Sequence, residues 1–431
     1  MDSVTEQLKG LPGLVGPEEI ESLKQLLAEA SAGRRFILQG GDCAERFQDC
    51  REDIIRSKLQ ILLRMALVMG FAGRRPIVAI GRMAGQYAKP RSVDFETNEL
   101  GDLIPIFRGE SIHSFDRSET ARRPDPNRLL KAYHASSATL NFIRLLMSTG
   151  FADLHKFDQG PLTSSVKGAF SNRYEQIIRA LRDAISYISA CSDGMSHNAN
   201  RLTGIKDFYV SHEALVLPYE EAMTRFVPHM GRYYNLSTHM VWIGDRTRKL
   251  DGAHVEYCRG IGNPVGIKVA ADSNIQELLS VIAKVNPHNE DGKVTLITRL
   301  GSEHVERFLP EIIRAVIMAG VNVTWSVDPM HGNTVRSPEG FKTRRFEQIS
   351  DEVRHSFDIH RQLGTVLGGI HLEMTADDVT ECTGGTAGIS DEMLSKRYET
   401  WCDPRLNGYQ SLELSFIVAS YLRLQHESAL N

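Results

Sequence analysis

The chain has 431 residues, 42% of them hydrophobic, with 50 basic and 54 acidic side chains and a net charge of -4; that length buries a large core without disulfide or metal staples. No block of like charge exists to coat a nucleic acid or an anionic membrane, and the most apolar stretch, Ile61–Gly73, is broken by Arg64 and too short to span a bilayer. Met1–Gly10 has no apolar run, and Cys43, Cys50, Cys191, Cys258, Cys382 and Cys402 form no CxxC pair, so a cytoplasmic protein is expected, without signal peptide, disulfide scaffold or zinc knuckle.

In chain order, residues 1–34 form a short helical N-terminal extension. Eight short apolar or β-branched runs follow: Arg35–Gly41, Pro76–Arg82, His239–Asp245, Pro264–Ala270, Val294–Leu300, Asn322–Asp328, Gly368–Thr375 and Thr400–Pro404. Ile275–Val285 and Glu303–Ala319 place Ile, Leu and Val at three- and four-residue steps, which predicts crossover helices, with Pro310 kinking the second or marking its first turn. Between the second and third runs, residues 93–238 are too many for a plain crossover. Helical patterns at Pro126–Met147 and Tyr174–Ile188, with a Gly-, Ser- and Asn-rich loop at Asp158–Asn172, predict a largely helical insertion there. The alternation of strand and helix predicts an α/β fold, a single (β/α)8 TIM barrel over residues 1–431.

Chemistry in a parallel barrel belongs at the C-terminal strand ends. The sequence places Cys43, Arg82, Asp245 with Arg246, Lys268, Arg299, His331, Glu373 and Asp403 there. Cys43, His331, Glu373 and Asp403 make a mixed sulfur, nitrogen and oxygen donor set suited to manganese, iron, cobalt or zinc rather than magnesium or calcium. Taken singly, each is more often a buried hydrophobe, a turn residue or a solvated carboxylate; their shared position favours a metal. Arg82, Lys89, Arg91, Arg246, Lys268 and Arg299 match the roughly five negative charges of two phosphates and a carboxylate, against an alternative in which Arg82 pairs with Glu45 and Arg246 with Asp245. Arg122, Arg123, Arg344 and Arg345 read as solvated or helix-end charges. His212 lacks a GxSxG elbow and is expected to be structural, and the glycine pairs lack nucleotide-binding spacing.

GGDCAERF (Gly40–Phe47), GRMAGQYAKPRS (Gly81–Ser92), SHEALVLPYE (Ser211–Glu220), WIGDRTR (Trp242–Arg248), DPMHGNT (Asp328–Thr334), GGIHLEMTADDVTECTGG (Gly368–Gly385) and CDPRLN (Cys402–Asn407) resemble class II (plant-type) DAHP synthases, with similarity from about Leu11 to Leu424. The resemblance implies condensation of phosphoenolpyruvate with D-erythrose 4-phosphate and water to 3-deoxy-D-arabino-heptulosonate 7-phosphate and phosphate, the first step of the shikimate pathway. It implies one divalent ion, manganese or cobalt ahead of zinc or iron, on Cys43, His331, Glu373 and Asp403, one from each of four strands. Arg82, Arg246, Lys268 and Arg299, with a backbone amide near Asp245, would grip phosphoenolpyruvate. Lys89, Arg91 and Ser92 would meet erythrose 4-phosphate, with Lys89 donating a proton to the new alkoxide. A homo-oligomer and a chorismate mutase partner are also implied.

Three places depart from the family pattern: Asp245 for Glu, Ala270-Ala271 for Gly-Pro, and Val366-Leu367 where a Pro often stands. They are expected to matter near the site, and a shortened N-terminal arm suggests service to secondary metabolism. Two other readings stay open: an aminoDAHP synthase using an imino sugar phosphate, and a non-catalytic relative regulating a partner enzyme. A metal-dependent phosphohydrolase would release phosphate from phosphoenolpyruvate alone. Cys402, next to Asp403, is expected close to Cys43, where oxidation would disconnect the metal.

Overall fold

The computed structural model describes residues 2–149, 151, 176–177, 179–180, 183 and 207–430. Runs buried on both faces form parallel strands covered by helices. These are β1 (Phe36–Gly41), β2 (Ile77–Arg82), β3 (Tyr209–Glu213), β4 (Met240–Ile243), β5 (Val265–Ala270), β6 (Val294–Arg299), β7 (Thr324–Val327) and β8 (Leu367–Glu373). They pair in sequence order, and β8 closes on β1 with Ile37 opposite Gly369 and Gly41 opposite Glu373, completing the expected (β/α)8 barrel.

The helices are α1 (Asp2–Gly10), α2 (Pro17–Ser31), α3 (Glu52–Gly73), α4 (Asn127–Ser148), α5 (Leu217–Met223), α6 (Ala253–Arg259), α7 (Ile275–Val285), α8 (Val305–Met318), α9 (Phe346–Gln362) and α10 (Gly408–Leu430). Asn274 caps α7 by accepting the Glu277 N–H at 3.1 Å. Helix α2 starts with Pro17 and buries Ile20, Leu23, Leu27 and Ala30. It lies under the N-terminal end of the barrel, where the Thr324 hydroxyl donates to Leu27 O at 3.1 Å. The end opposite the chemistry is thereby closed by apolar packing, and Leu27→Ala there would cost about 2–5 kcal/mol.

Two strand assignments from the sequence need correction. The third barrel strand is Tyr209–Glu213, inside the 93–238 segment expected to be a helical insertion. Its sequence YVSHE carries Ser, His and Glu, polar groups buried around the barrel interior, so an apolar-run criterion passes over it. Thr400–Pro404 is no strand; it belongs to the connection from β8 to α10. The insertion also holds two antiparallel hairpins, Phe95–Thr97 with Leu103–Pro105 and Thr224–Val227 with Arg232–Asn235, beside α4 and α5. The Asp158–Asn172 loop reading and most of Tyr174–Ile188 lie outside the described residues, as does Cys191. Pro310 falls inside α8. Arg122 and Arg344 are buried rather than solvated: Arg122 pairs with Glu96 at 2.8 Å and Arg344 with Glu373 at 2.8 Å. Arg123 and Arg345 are exposed. No described helix is long and apolar enough to cross a membrane.

Candidate active site

A cavity of about 180 Å³ opens at the C-terminal end of the barrel, lined by Arg82, Lys89, Arg91, Ser92, Asp245, Arg246, Lys268, Arg299, His331 and Asp403 together with Glu213, Trp242 and Lys342. Glu373 ends β8, Cys43 lies just past β1, and His331 sits in a turn past β7. Asp403 comes from the loop after β8, so two of the four donors share one strand end rather than four strands supplying one each. Ligand atoms of Cys43, Glu373 and Asp403 lie within 4.8 Å of one another, and His331 Nε2 reaches Glu373 Oε1 at 3.1 Å. The Asp403 N–H donates to Cys43 Sγ at 3.2 Å.

Lys89 Nζ sits where these donors converge, 2.5 Å from Glu373 Oε1, 3.0 Å from Asp403 Oδ2 and 3.3 Å from His331 Nε2. Burial opposes its charge, yet Cys43, Glu373 and Asp403 outweigh burial and hold the ammonium above the ordinary lysine range. Burial likewise opposes ionisation of Glu373, but His331, Lys89 and Arg344 hold it well below the usual carboxylate range. Burial pushes the Cys43 thiol up, while its hydrogen bond with Cys402 holds the Cys402 thiol down. A buried S, N and O donor set whose Glu373 and Asp403 carboxylates already gather a cation fits a single divalent ion of borderline softness.

The cationic half is fixed by its own partners. Arg82 donates to Asp42 O at 3.1 Å and Glu373 Oε1 at 3.1 Å, contacts the His371 ring, and lies 5.1 Å over Trp242. Its expected alternative partner, Glu45, instead accepts the backbone N–H groups of Ala84, Gly85 and Gln86. Arg246 is exposed and forms no ion pair among the described residues; Asp245 lies 3.4 Å from Arg248 and 3.7 Å from Arg299 instead. Lys268 ion-pairs with Asp328 Oδ2, which also meets His331 Nδ1 at 2.7 Å. Burial pulls Lys268 down to about 8, with Asp328 opposing.

Glu213, Trp242, Asp328 and Lys342 were not among the residues singled out from the sequence. Glu213 ends β3 and is buried, and its Oε1 has no hydrogen-bond partner among the described residues. A Cβ at Gly244 would stand 2.2 Å from that oxygen, so glycine there makes room for the carboxylate. Burial raises the Glu213 carboxyl, with Lys89, Lys268 and Arg82 opposing. Glu213 lay visible inside SHEALVLPYE; Lys342, 3.2 Å from Asp403 Oδ1, reaches the mouth from a hairpin no strand pattern announced. His212 is buried with Nε2 3.0 Å from Glu220 Oε1, a partner away from the cavity.

A closed parallel barrel with a cationic cavity beside a mixed S, N and O donor set at its mouth suits an enzyme that handles anionic substrates. Residues 1–419 match the Class-II DAHP synthetase family. A phospho-2-dehydro-3-deoxyheptonate aldolase of Streptomyces coelicolor is 45% identical over 426 residues, 98% of this chain and 93% of that protein. One of Neurospora crassa is 42% identical over 447 residues, covering 99% and 91%. A solved structure of a phospho-2-dehydro-3-deoxyheptonate aldolase from Francisella tularensis shares the fold with a TM-score of 0.53 at 12% identity, covering 98% of this chain and 96% of that one. The chain belongs to the class II DAHP synthetase family.

Proposed function

We propose that the chain condenses phosphoenolpyruvate with erythrose 4-phosphate and water to give DAHP and phosphate, using one divalent ion, manganese or cobalt, held by Cys43, His331, Glu373 and Asp403. The reading is carried by the convergence of Cys43, Glu373 and Asp403 within 4.8 Å beside the cationic cavity. The ion would supply Lewis acidity at the aldehyde oxygen. Arg82, Lys268, Arg299 and Arg246 take the carboxylate and phosphate of phosphoenolpyruvate, and Arg91 and Ser92 take the phosphate of the aldehyde. Carbon 3 of the enol attacks the aldehyde carbon, and Lys89 gives its proton to the alkoxide oxygen. Glu213, which lines the cavity and whose Oε1 has no hydrogen-bond partner among the described residues, takes a proton from the water that adds at carbon 2. The bond between carbon 2 and the phosphate-bearing oxygen then breaks, the phosphate takes that oxygen and the proton of the new carbon 2 hydroxyl, and carbon 2 becomes the ketone. Holding both substrates by their anions makes the encounter effectively unimolecular, worth up to about 7–11 kcal/mol.

The five described cysteines are all unpaired, which suits a cytoplasmic setting. A homo-oligomer would cover the exposed Phe95, Leu100 and Leu103. The test is product formation from both substrates, with and without chelator, on wild type and Cys43→Ser. Turnover should need both substrates and metal and fall in Cys43→Ser. Phosphate released from phosphoenolpyruvate alone, or faster turnover of an imino acceptor, would replace this reading.

A further inference from the structure

Arg299 and His331 stand on neighbouring strand ends, and one buried carboxylate outside the cavity ties their loops together. Glu352, on α9 and 0% exposed, accepts the Leu300 N–H at 2.9 Å and the Gly301 N–H at 3.0 Å through Oε1. Through Oε2 it accepts the Asn333 amide at 2.7 Å. Leu300 directly follows Arg299, and Asn333 lies two residues past His331. Asn333 also donates to Pro329 O at 2.8 Å and accepts the Ser302 N–H at 2.9 Å, so it bridges both loops.

The loops touch through backbone as well. A Cβ on Gly301, whose φ is +86°, would meet Gly332 O at 2.8 Å, and one on Gly332 would meet Gly301 N at 2.3 Å. Neither loop can shift without moving the other. Burial, with Asp328 nearby, pushes the Glu352 carboxyl up to about 8 even with those three N–H donors opposing, and both of its oxygens are occupied as acceptors.

We propose that Glu352 is a positioning residue that locks the substrate-gripping Arg299 and the metal-binding His331 in one mutual geometry, so that affinity for phosphoenolpyruvate and affinity for the metal depend on the same clamp. This rests on the roles given above to Arg299 and His331. In Glu352→Gln one oxygen becomes an NH2 group, which faces either Asn333 or the Leu300 and Gly301 N–H groups, leaving buried donors opposed.

The experiment measures Mn2+ dissociation constants by electron paramagnetic resonance of the free ion, and KM for each substrate. Glu352→Gln should raise the Mn2+ constant and the KM for phosphoenolpyruvate each by about tenfold, with the KM for erythrose 4-phosphate within about twofold. Asn333→Ala frees the His331 loop from Glu352 and from the Ser302 N–H but leaves Glu352 on Leu300 and Gly301, so the Mn2+ constant should rise most and the phosphoenolpyruvate KM should follow it by about threefold. A Glu352→Gln protein that melts lower but keeps both affinities would overturn the proposal, leaving Glu352 a mere buttress. If that variant does not fold, an unchanged Mn2+ constant in Asn333→Ala would overturn it instead. His331→Ala and Arg299→Ala, measured alongside, test the parent roles: if neither loses its ligand the site reading fails, whereas loss there without loss in Glu352→Gln removes the clamp alone.

Discussion

Asp328→Asn should weaken phosphoenolpyruvate capture and metal binding at once, because a single oxygen, Oδ2, serves both Lys268 and His331. The replacement keeps Oδ1 for the N–H groups of Met330 at 3.0 Å and His331 at 3.2 Å, so the turn should persist. What changes is the face toward Lys268, which loses its countercharge while Arg82 and Arg299 still repel it. Lys268 stands at about 8 with Asp328 helping, so without it the amine falls below that value and is largely neutral at pH 7.5 or so. Loss of a charged hydrogen bond worth about 1.5–3 kcal/mol raises the phosphoenolpyruvate KM by roughly 10- to 150-fold. On the other side, an Asn NH2 facing His331 Nδ1 no longer fixes the ring, and metal affinity should drop by about 10- to 100-fold. Initial rates of phosphate release across about pH 6 to 10 give the sign. In wild type, capture should weaken as pH rises through about 8, where Lys268 loses its proton; in the variant that limb should move to lower pH. An unchanged KM, an unchanged metal constant and the same alkaline limb would refute the coupling.

Glu213→Gln should lower kcat by about 10²- to 10⁴-fold with little change in the phosphoenolpyruvate KM, and a KM effect without a kcat effect would remove Glu213 from the water-activating step. Mild oxidation of metal-free protein should join Cys43 to Cys402, two thiols already in hydrogen-bond contact; free thiols at both positions by mass spectrometry would sink that idea. Lys89→Met should lower the Tm of the metal-free protein, since Glu373 and Asp403 lose the ammonium they share, and Mn2+ should then raise Tm more than in wild type. Equal metal-induced rises in Tm would show that Lys89 does not compete for those carboxylates.

Seven of the eight barrel strands were legible because parallel strands covered on both faces read as short apolar runs. The eighth was hidden by its own chemistry. Ser211 donates to Gly81 O at 3.2 Å and accepts from Gln39, so a buried strand carries polar residues that a hydrophobic pattern takes for loop. The reverse error, TWCDP, arose because a chemically rich segment near the mouth was credited with a strand of its own, when Asp403 is delivered by a loop pinned to Glu373 O through the Leu406 N–H at 3.0 Å. The candidate metal donors and cations stood out because their residue types are rare in clusters, and the fold brings them to one cavity. Asp328 and Glu352 were not, since a buried carboxylate acting through a neighbour looks in sequence like any turn or helix acid.

The three departures from the family pattern also separate once placed on the barrel. Val366 and Leu367 fall at the N-terminal end of β8, where Val366 packs 3.5 Å from the Cβ position of Gly33, far from the mouth; their effect is on packing under the barrel, contrary to the expectation that they act near the site. Ala270 ends β5 and its N–H is held by Ser273 Oγ at 2.9 Å, which also accepts from Arg248 at 2.9 Å. That hydrogen-bonded turn does locally what a proline would do by fixing φ. Asp245 alone of the three lines the cavity, within 3.7 Å of Arg299. One methylene shorter than glutamate, it leaves more room beside Arg299 while keeping the charge. Of the three departures, Asp245 alone is therefore placed to bear on what the cavity accepts.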